Sequence, residues 1–141
     1  MKILLDTHVF LWWQADAGRV PAHLHAAISS PTNEIYVSAV SVWEIAIKRA
    51  SGKLVFRASA VKAIEKHNFT ALSITAEHAE WAGSLPALHR DPFDRLLVAQ
   101  AHRLVSRQRV VPPRAQLPRQ KVVAVARQVS RDSRPMDHRA V

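Results

Sequence analysis

Carboxylates are scarce in the first hundred residues of this 141-residue chain, so their positions carry information. Asp6 closes the short apolar run Lys2 to Leu5. In open parallel sheets the carboxyl ends of the strands face the crevice where ligands bind. Asp is also a good helix N-cap for a segment starting near His8, and both readings stand at this point. Glu44 lies at the border of the apolar arc that Val40, Val42, Trp43, Ala46, Ile47 and Ala50 draw on a helix. Ser41-Val42-Trp43-Glu44 also fits a capping box, and Glu44 with Lys48 an i,i+4 ion pair. Asp91-Pro92-Phe93-Asp94 is a helix start, with Asp91 as the cap, Pro92 in the first position and Asp94 in the first turn. Asp94 shares a stripe with Leu97, Val98 and Ala101, so its carboxylate is expected to point inward and to need compensation. Clustered carboxylates repel, and a divalent cation relieves the repulsion. Hard oxygen donors in a chain without cysteine favour Mg²⁺ or Mn²⁺ over zinc. Such an ion can activate water and stabilise a phosphodiester transition state.

Strands must alternate with helices to bring these acids to one pole. Lys2 to Leu5, apolar on both faces, suits a central strand of a parallel sheet. A buried helix begins near Val9, and a second helical stretch covers Pro21 to Ser29. Glu34 to Ser38 is rich in strand formers and reads as a second strand. Val40 to Ala50 is a helix stopped by Ser51-Gly52. Ser59 caps a helix through His67, Thr70 to Ile74 is a third strand, and Thr75 caps a further helix. Asp91-Pro92 opens the last one, through about Leu104. The expected fold is α/β, a central parallel sheet flanked by helices.

Composition bounds the rest. The first hundred residues carry ten Lys or Arg and nine Asp or Glu; the remainder carries ten basic residues against Asp132 and Asp137. All nine aromatics lie at or before Phe93. The expected organisation is therefore a domain over 1–104 and a basic, proline-broken, poorly ordered tail over 105–141. The absence of cysteine excludes a disulfide scaffold and a thiol nucleophile. No apolar run approaches a membrane span, and Asp6 and His8 interrupt the first apolar stretch, so a cytoplasmic location without a secretion signal is expected. No phosphate-binding glycine loop is present, and the three glycines cannot make a dinucleotide-binding turn. His23-Leu24-His25 reads as a solvated helix face. Trp12-Trp13 reads as core or as a partner groove. Lys48, Arg49 and Lys53 read as a charged surface that can also line an RNA path.

Three strings stand in order: Leu4-Leu5-Asp6-Thr7-His8-Val9, Ser41-Val42-Trp43-Glu44-Ile45-Ala46-Ile47-Lys48, and His89-Arg90-Asp91-Pro92-Phe93-Asp94-Arg95-Leu96-Leu97-Val98-Ala99-Gln100-Ala101. Together they closely resemble the PIN-domain ribonucleases, in particular the VapC-like toxins of bacterial toxin–antitoxin pairs. The resemblance implies a metal-dependent endoribonuclease. It makes Asp6 and Asp94 Mg²⁺ ligands, with Glu44 completing the acidic cluster. It matches Asp91 and Thr7 to secondary positions, Thr7 placing water or metal. His8 matches the motif too, and packing or capping is the favoured role for it. The resemblance further implies an RNA substrate, a VapB-like antitoxin and a dimer of toxins.

The chain departs from that pattern at its end. The family usually follows the late helix with a strand resembling Leu-Val-Thr-x-Asp, which supplies a fourth acid. Here Leu104-Val105-Ser106-Arg107-Gln108 has Gln108 in that place, and Val129-Ser130-Arg131-Asp132 has the acid far later. Two further functions therefore stay open. One is a catalytically impaired remnant that binds its antitoxin; the other is salt-sensitive nucleic-acid binding by residues 101–141.

Overall fold

The computed structural model describes residues 1–86 and 91–106. Its elements alternate as expected: β1 (Lys2–Leu5), α1 (Thr7–Ala15), a 3₁₀ turn (Ala17–Arg19), α2 (Ala22–Ser29), β2 (Glu34–Ser38), α3 (Ala39–Ala50), α4 (Ala60–Lys66), β3 (Thr70–Leu72), α5 (Ala76–Ser84) and α6 (Pro92–Ser106). The three strands are parallel in the order β1-β2-β3. Lys2 pairs with Glu34 and Leu5 with Val37; Tyr36 pairs with Thr70 and Ser38 with Leu72. Among the described residues β2, not β1, is the middle strand. β1 is nevertheless buried on both faces, which is what its unbroken apolar run specifies.

The two-residue period of the strands divides the core. Ile3 and Leu5 of β1 and Ile35 and Val37 of β2 face one way, against Val9 and Phe10 of α1, Leu24 and Ile28 of α2 and Ile64 of α4. Leu4 faces the other way, packed with Val40 of α3 and with Leu97 and Ala101 of α6; Tyr36 and Leu72 adjoin that cluster. Helices thus cover both faces of the sheet.

Local signals fix most element ends. Ser59 accepts from the Lys62 amide at the start of α4. Thr75 and His78 cap α5 reciprocally: the Thr75 hydroxyl accepts from the His78 amide, and the His78 ring accepts from the Thr75 amide. After α3, Gly52 takes a left-handed conformation with φ of 69°, which lets the Gly52 and Lys53 amides close the helix on the carbonyls of Arg49 and Lys48. Arg95 ties α6 to the end of α5. Its Nε donates to the Ala82 carbonyl at 3.0 Å, and its Nη2 donates to those of Leu85 at 2.7 Å and Gly83 at 3.1 Å. A cation is well placed at a helix C-terminus, where carbonyls lack partners. Trp81 of α5 stacks on His102 of α6, ring centroids 4.5 Å apart.

β3 ends at Leu72, two residues short of the expected strand. The Ser73 carbonyl instead accepts from the Gln100 side chain. α6 runs to Ser106, so Leu104-Val105-Ser106 is helical and the expected boundary at 104 falls inside the last helical turn. Gln108 and the Val129-Ser130-Arg131-Asp132 string lie outside the described residues. His23 and His25 are exposed as expected; His25 lies against Trp13, centroids 4.9 Å apart. Trp12 and Trp13 are half-buried against the larger core cluster.

His67, beside that tryptophan, gives the fold a pH dependence. Its Nδ1 accepts from Trp13 Nε1 at 3.4 Å, and its Nε2 sits 3.1 Å from Gln14 Oε1, an arrangement suited to a neutral ring protonated on Nε2. Burial, and secondarily the Lys66 charge, hold its pKa below the ordinary imidazole value. The unfolded chain therefore binds this proton more readily. The stabilisation is complete above about pH 6.5 and is lost as the pH falls through the lower folded value. Thermal melts from pH 7.5 to 5 are expected to show Tm falling on acidification, less steeply in His67→Gln. Equal slopes in both proteins count against this account.

Candidate active site

Asp6 is positioned where β1 ends, Glu44 on the helix that follows β2, and Asp94 in the first turn of α6. At the exit of β1, Asp6 has extended backbone and caps α1: its Oδ1 accepts from the His8 amide at 2.7 Å. The same oxygen is 3.3 Å from His8 Nδ1. The cap reading of Asp6 is thus correct, and it engages only one carboxylate oxygen. At the exit of β2, Ser38 caps α3 by accepting from the Val40 amide at 2.9 Å. The helix therefore starts one turn before the Ser41-x-x-Glu44 box. Ser41 is an interior helical residue, and the capping-box reading of Glu44 does not hold. The i,i+4 reading does: Lys48 Nζ lies 2.6 Å from Glu44 Oε1.

The burial of α3 runs against its hydrophobicity. Val40, Ser41, Glu44 and Ile45 are the buried residues, with Glu44 only 8% exposed. Trp43 and Ile47, expected in the buried arc, are 54% and 42% exposed, and Ala46 and Ala50 beside them are exposed as well. The reason lies in the neighbours. The Thr7 hydroxyl, buried at the start of α1, donates to Ser41 Oγ at 2.9 Å, and Val40 and Ile45, packed into the two core clusters, lie on the same arc as Ser41 and Glu44. Glu44 is therefore not at the border of a buried face; it is inside one.

Asp6 and Glu44 each have a charged or titratable partner, His8 at 3.3 Å and Lys48 at 2.6 Å. His8 is held above the ordinary imidazole range, first by its hydrogen bond to Asp6. Burial opposes that effect, the Asp6 charge adds to it, Lys48 opposes it and Glu44 adds to it.

Asp91 caps α6, its Oδ1 accepting from the Phe93 amide at 2.7 Å and the Asp94 amide at 3.4 Å. Asp94 is exposed, contrary to the expected inward orientation. The stripe it shares with Leu97 and Ala101 is buried only from Leu97 onward, because Asp94 lies in the first turn, ahead of the packed length of α6. Trp43 and Phe93 meet edge to face at 5.2 Å, which brings the acid-bearing turns of α3 and α6 side by side. No three His, Asp or Glu side chains among the described residues are grouped to hold a metal ion. The donor types suit a hard cation, but in this arrangement Glu44 is engaged by Lys48 and Asp6 by His8.

Behind the acids runs a buried polar ladder that the sequence pattern did not single out. Ser38 donates to Gln100 Oε1, and Gln100 Nε2 donates to the Ser73 carbonyl at 3.0 Å. Gln100 is wholly buried. It links the ends of β2 and β3 to α6. Its signal was available: an amide on the same apolar face as Leu97 and Leu104, where a polar residue needs partners.

A family model described as the PIN domain matches residues 3–106. The chain belongs to the PIN domain family. PIN domains are typically metal-dependent nucleases that act on RNA and generally use divalent cations. The match begins within β1, covers every later described element and all three motif strings, and the mixed α/β architecture with its parallel sheet is consistent with that fold. No curated protein and no solved structure matches the chain. No helix among the described residues is long and apolar enough to cross a membrane.

Proposed function

We propose that this PIN domain is a VapC-like endoribonuclease toxin, hydrolysing RNA phosphodiester bonds at the pole marked by Asp6, Glu44 and Asp94. The observation that carries the proposal is the inverted burial of α3, which hides Ser41 and Glu44 while leaving Trp43 and Ile47 in solvent. Burying a carboxylate costs several kcal/mol unless a cation compensates it, as Lys48 does for Glu44 at 2.6 Å, and exposing Trp and Ile forgoes apolar burial on the same helix. Departures of this kind from local preference concentrate at functional sites.

In this reading Asp6, Glu44 and Asp94 supply the oxygen donors for Mg²⁺ or Mn²⁺. The cation, when bound, supplies Lewis-acid activation of water and neutralises charge developing at phosphorus. Lys48 compensates Glu44 until then and yields its place. Thr7, bonded to Ser41, fixes the start of α1 and hence the direction of Asp6. Asp91 holds the first turn of α6 and so sets where Asp94 begins. A VapB-like antitoxin restrains the enzyme, the toxin forms a homodimer, and the basic residues after 106 add affinity for RNA.

One observation favours a second reading, a remnant without activity that binds its antitoxin: the three acids are not assembled around a common point. Cation dependence separates the two. The full chain is expected to cleave single-stranded RNA with added Mg²⁺ or Mn²⁺, to stop with EDTA, and to resume when excess cation is restored. Absence of both cleavage and Mn²⁺ binding would leave the remnant reading in place.

A further inference from the structure

We infer that Trp43 is a stacking platform for a nucleobase of the RNA strand, adjacent to the bond that is cut. The inference rests on the nuclease reading and adds a positioning residue to it.

Trp43 immediately precedes Glu44, and Phe93 immediately precedes Asp94. The two rings touch edge to face at 5.2 Å, interplanar angle 66°. Phe93 is half-buried against the Leu4–Leu97 cluster and packs against an indole that is itself more than half exposed. An exposed aromatic surface thus lies between the turns that carry two of the acids. A nucleobase fits the features of this surface. Every base presents a π face, so stacking needs no particular sequence.

The surroundings suit a polyanion. Ile47, Ala46 and Ala50 continue the exposed stripe away from Trp43 and end beside Arg49, which lines a shallow hollow with the two alanines. At 100° per residue, Arg49 flanks the stripe, while Lys48 lies on the inward arc with Glu44, to which it is paired at 2.6 Å. No carboxylate lies on the stripe between Trp43 and Ala50. An apolar strip edged by Arg49 accepts bases on its floor and a phosphate at that margin. A strand laid along it, with one base on Trp43, passes the first turn of α6, which carries Asp94.

The test uses the full chain with EDTA present, so that binding is read without cleavage. The probe is a fluorescein-labelled 12-nucleotide single-stranded RNA of mixed sequence, followed by anisotropy. Trp43→Ala is expected to weaken binding by about five- to a hundred-fold. Trp43→Phe should restore most of it, because a smaller ring still stacks. In a series of RNAs with one abasic nucleotide, a single position should cost the wild type the same factor and cost Trp43→Ala nothing further. With cation present, the loss should appear mainly in KM.

Circular dichroism checks that the fold of Trp43→Ala is intact, and Trp43→Phe carries the test if it is not. Equal RNA affinity in the wild type and a folded Trp43→Ala overturns the platform even if cleavage remains cation-dependent. The same affinity with a changed sedimentation coefficient also overturns it, by showing that the ring serves a contact between protein chains. Absence of RNA binding by the wild type overturns the platform and the nuclease reading together.

Discussion

Asp6→Asn is expected to reduce RNA cleavage by about 10²–10⁴-fold, and Asp94→Asn by a similar factor, in initial rates measured with saturating Mg²⁺. The size follows from losing an anionic oxygen donor that stabilises several kcal/mol of transition-state charge, at 1.36 kcal/mol per decade of rate. The amide is chosen for Asp6 because that residue demonstrably caps α1. Asn caps helices as well as Asp does. A purely structural Asp6 would therefore tolerate the change with little loss of rate or Tm. A site residue would lose activity at unchanged stability. Asp94 sharpens the comparison, since it is exposed and removing its charge disturbs no core packing. Undiminished cleavage by either purified variant would remove that carboxylate from the site. Unchanged cleavage by both would dismantle the proposed chemistry.

Gln100→Leu is expected to destabilise the domain by about 2–4 kcal/mol, because it strands the Ser38 hydroxyl and the Ser73 carbonyl at about 1–3 kcal/mol for each group left unsatisfied. For a domain of this size the shift in Tm is about 10 °C. Leucine is close in volume, so the loss measures hydrogen bonding more than cavity formation. The double variant Ser38→Ala/Gln100→Leu should cost at least about 1 kcal/mol less than the sum of its parts, since Ser38 then has no donor to strand. Strict additivity would show that the two side chains do not act as a unit. Ser38 also caps α3, so its own single substitution carries about 1 kcal/mol of cap loss that the cycle removes.

This ladder marks where sequence reading stops. Element order and most boundaries were legible, because each is written locally. The Ile3-Leu4-Leu5 run, the strand formers from Ile35 to Val37, the caps Ser59, Thr75 and Asp91, and the stop at Gly52 act on their own neighbours. The face of α3 was not legible. Periodicity places Trp43 and Ile47 in the core on the assumption that apolar surface is what a helix buries. Packing between elements far apart in sequence decides otherwise: Val40 and Ile45 enter the two core clusters, and Thr7, 34 positions before Ser41, bonds its hydroxyl. Asp94 misled for a related reason. A stripe on a helical wheel gives direction around the axis and says nothing about how far along the axis the packing reaches.

The identities of the candidate acids, the PIN-like order of elements and the absence of thiol chemistry were therefore fixed by the chain itself. They depend on residue type and on spacing within one element. The tertiary structure decided which way each acid turns and what engages it: Asp6 capping α1 and meeting His8, Glu44 drawn inward against Lys48, Asp94 left at the surface. Those outcomes depend on contacts between elements far apart in sequence. A side chain's free energy is set by the neighbours it meets after folding, and no local pattern specifies them.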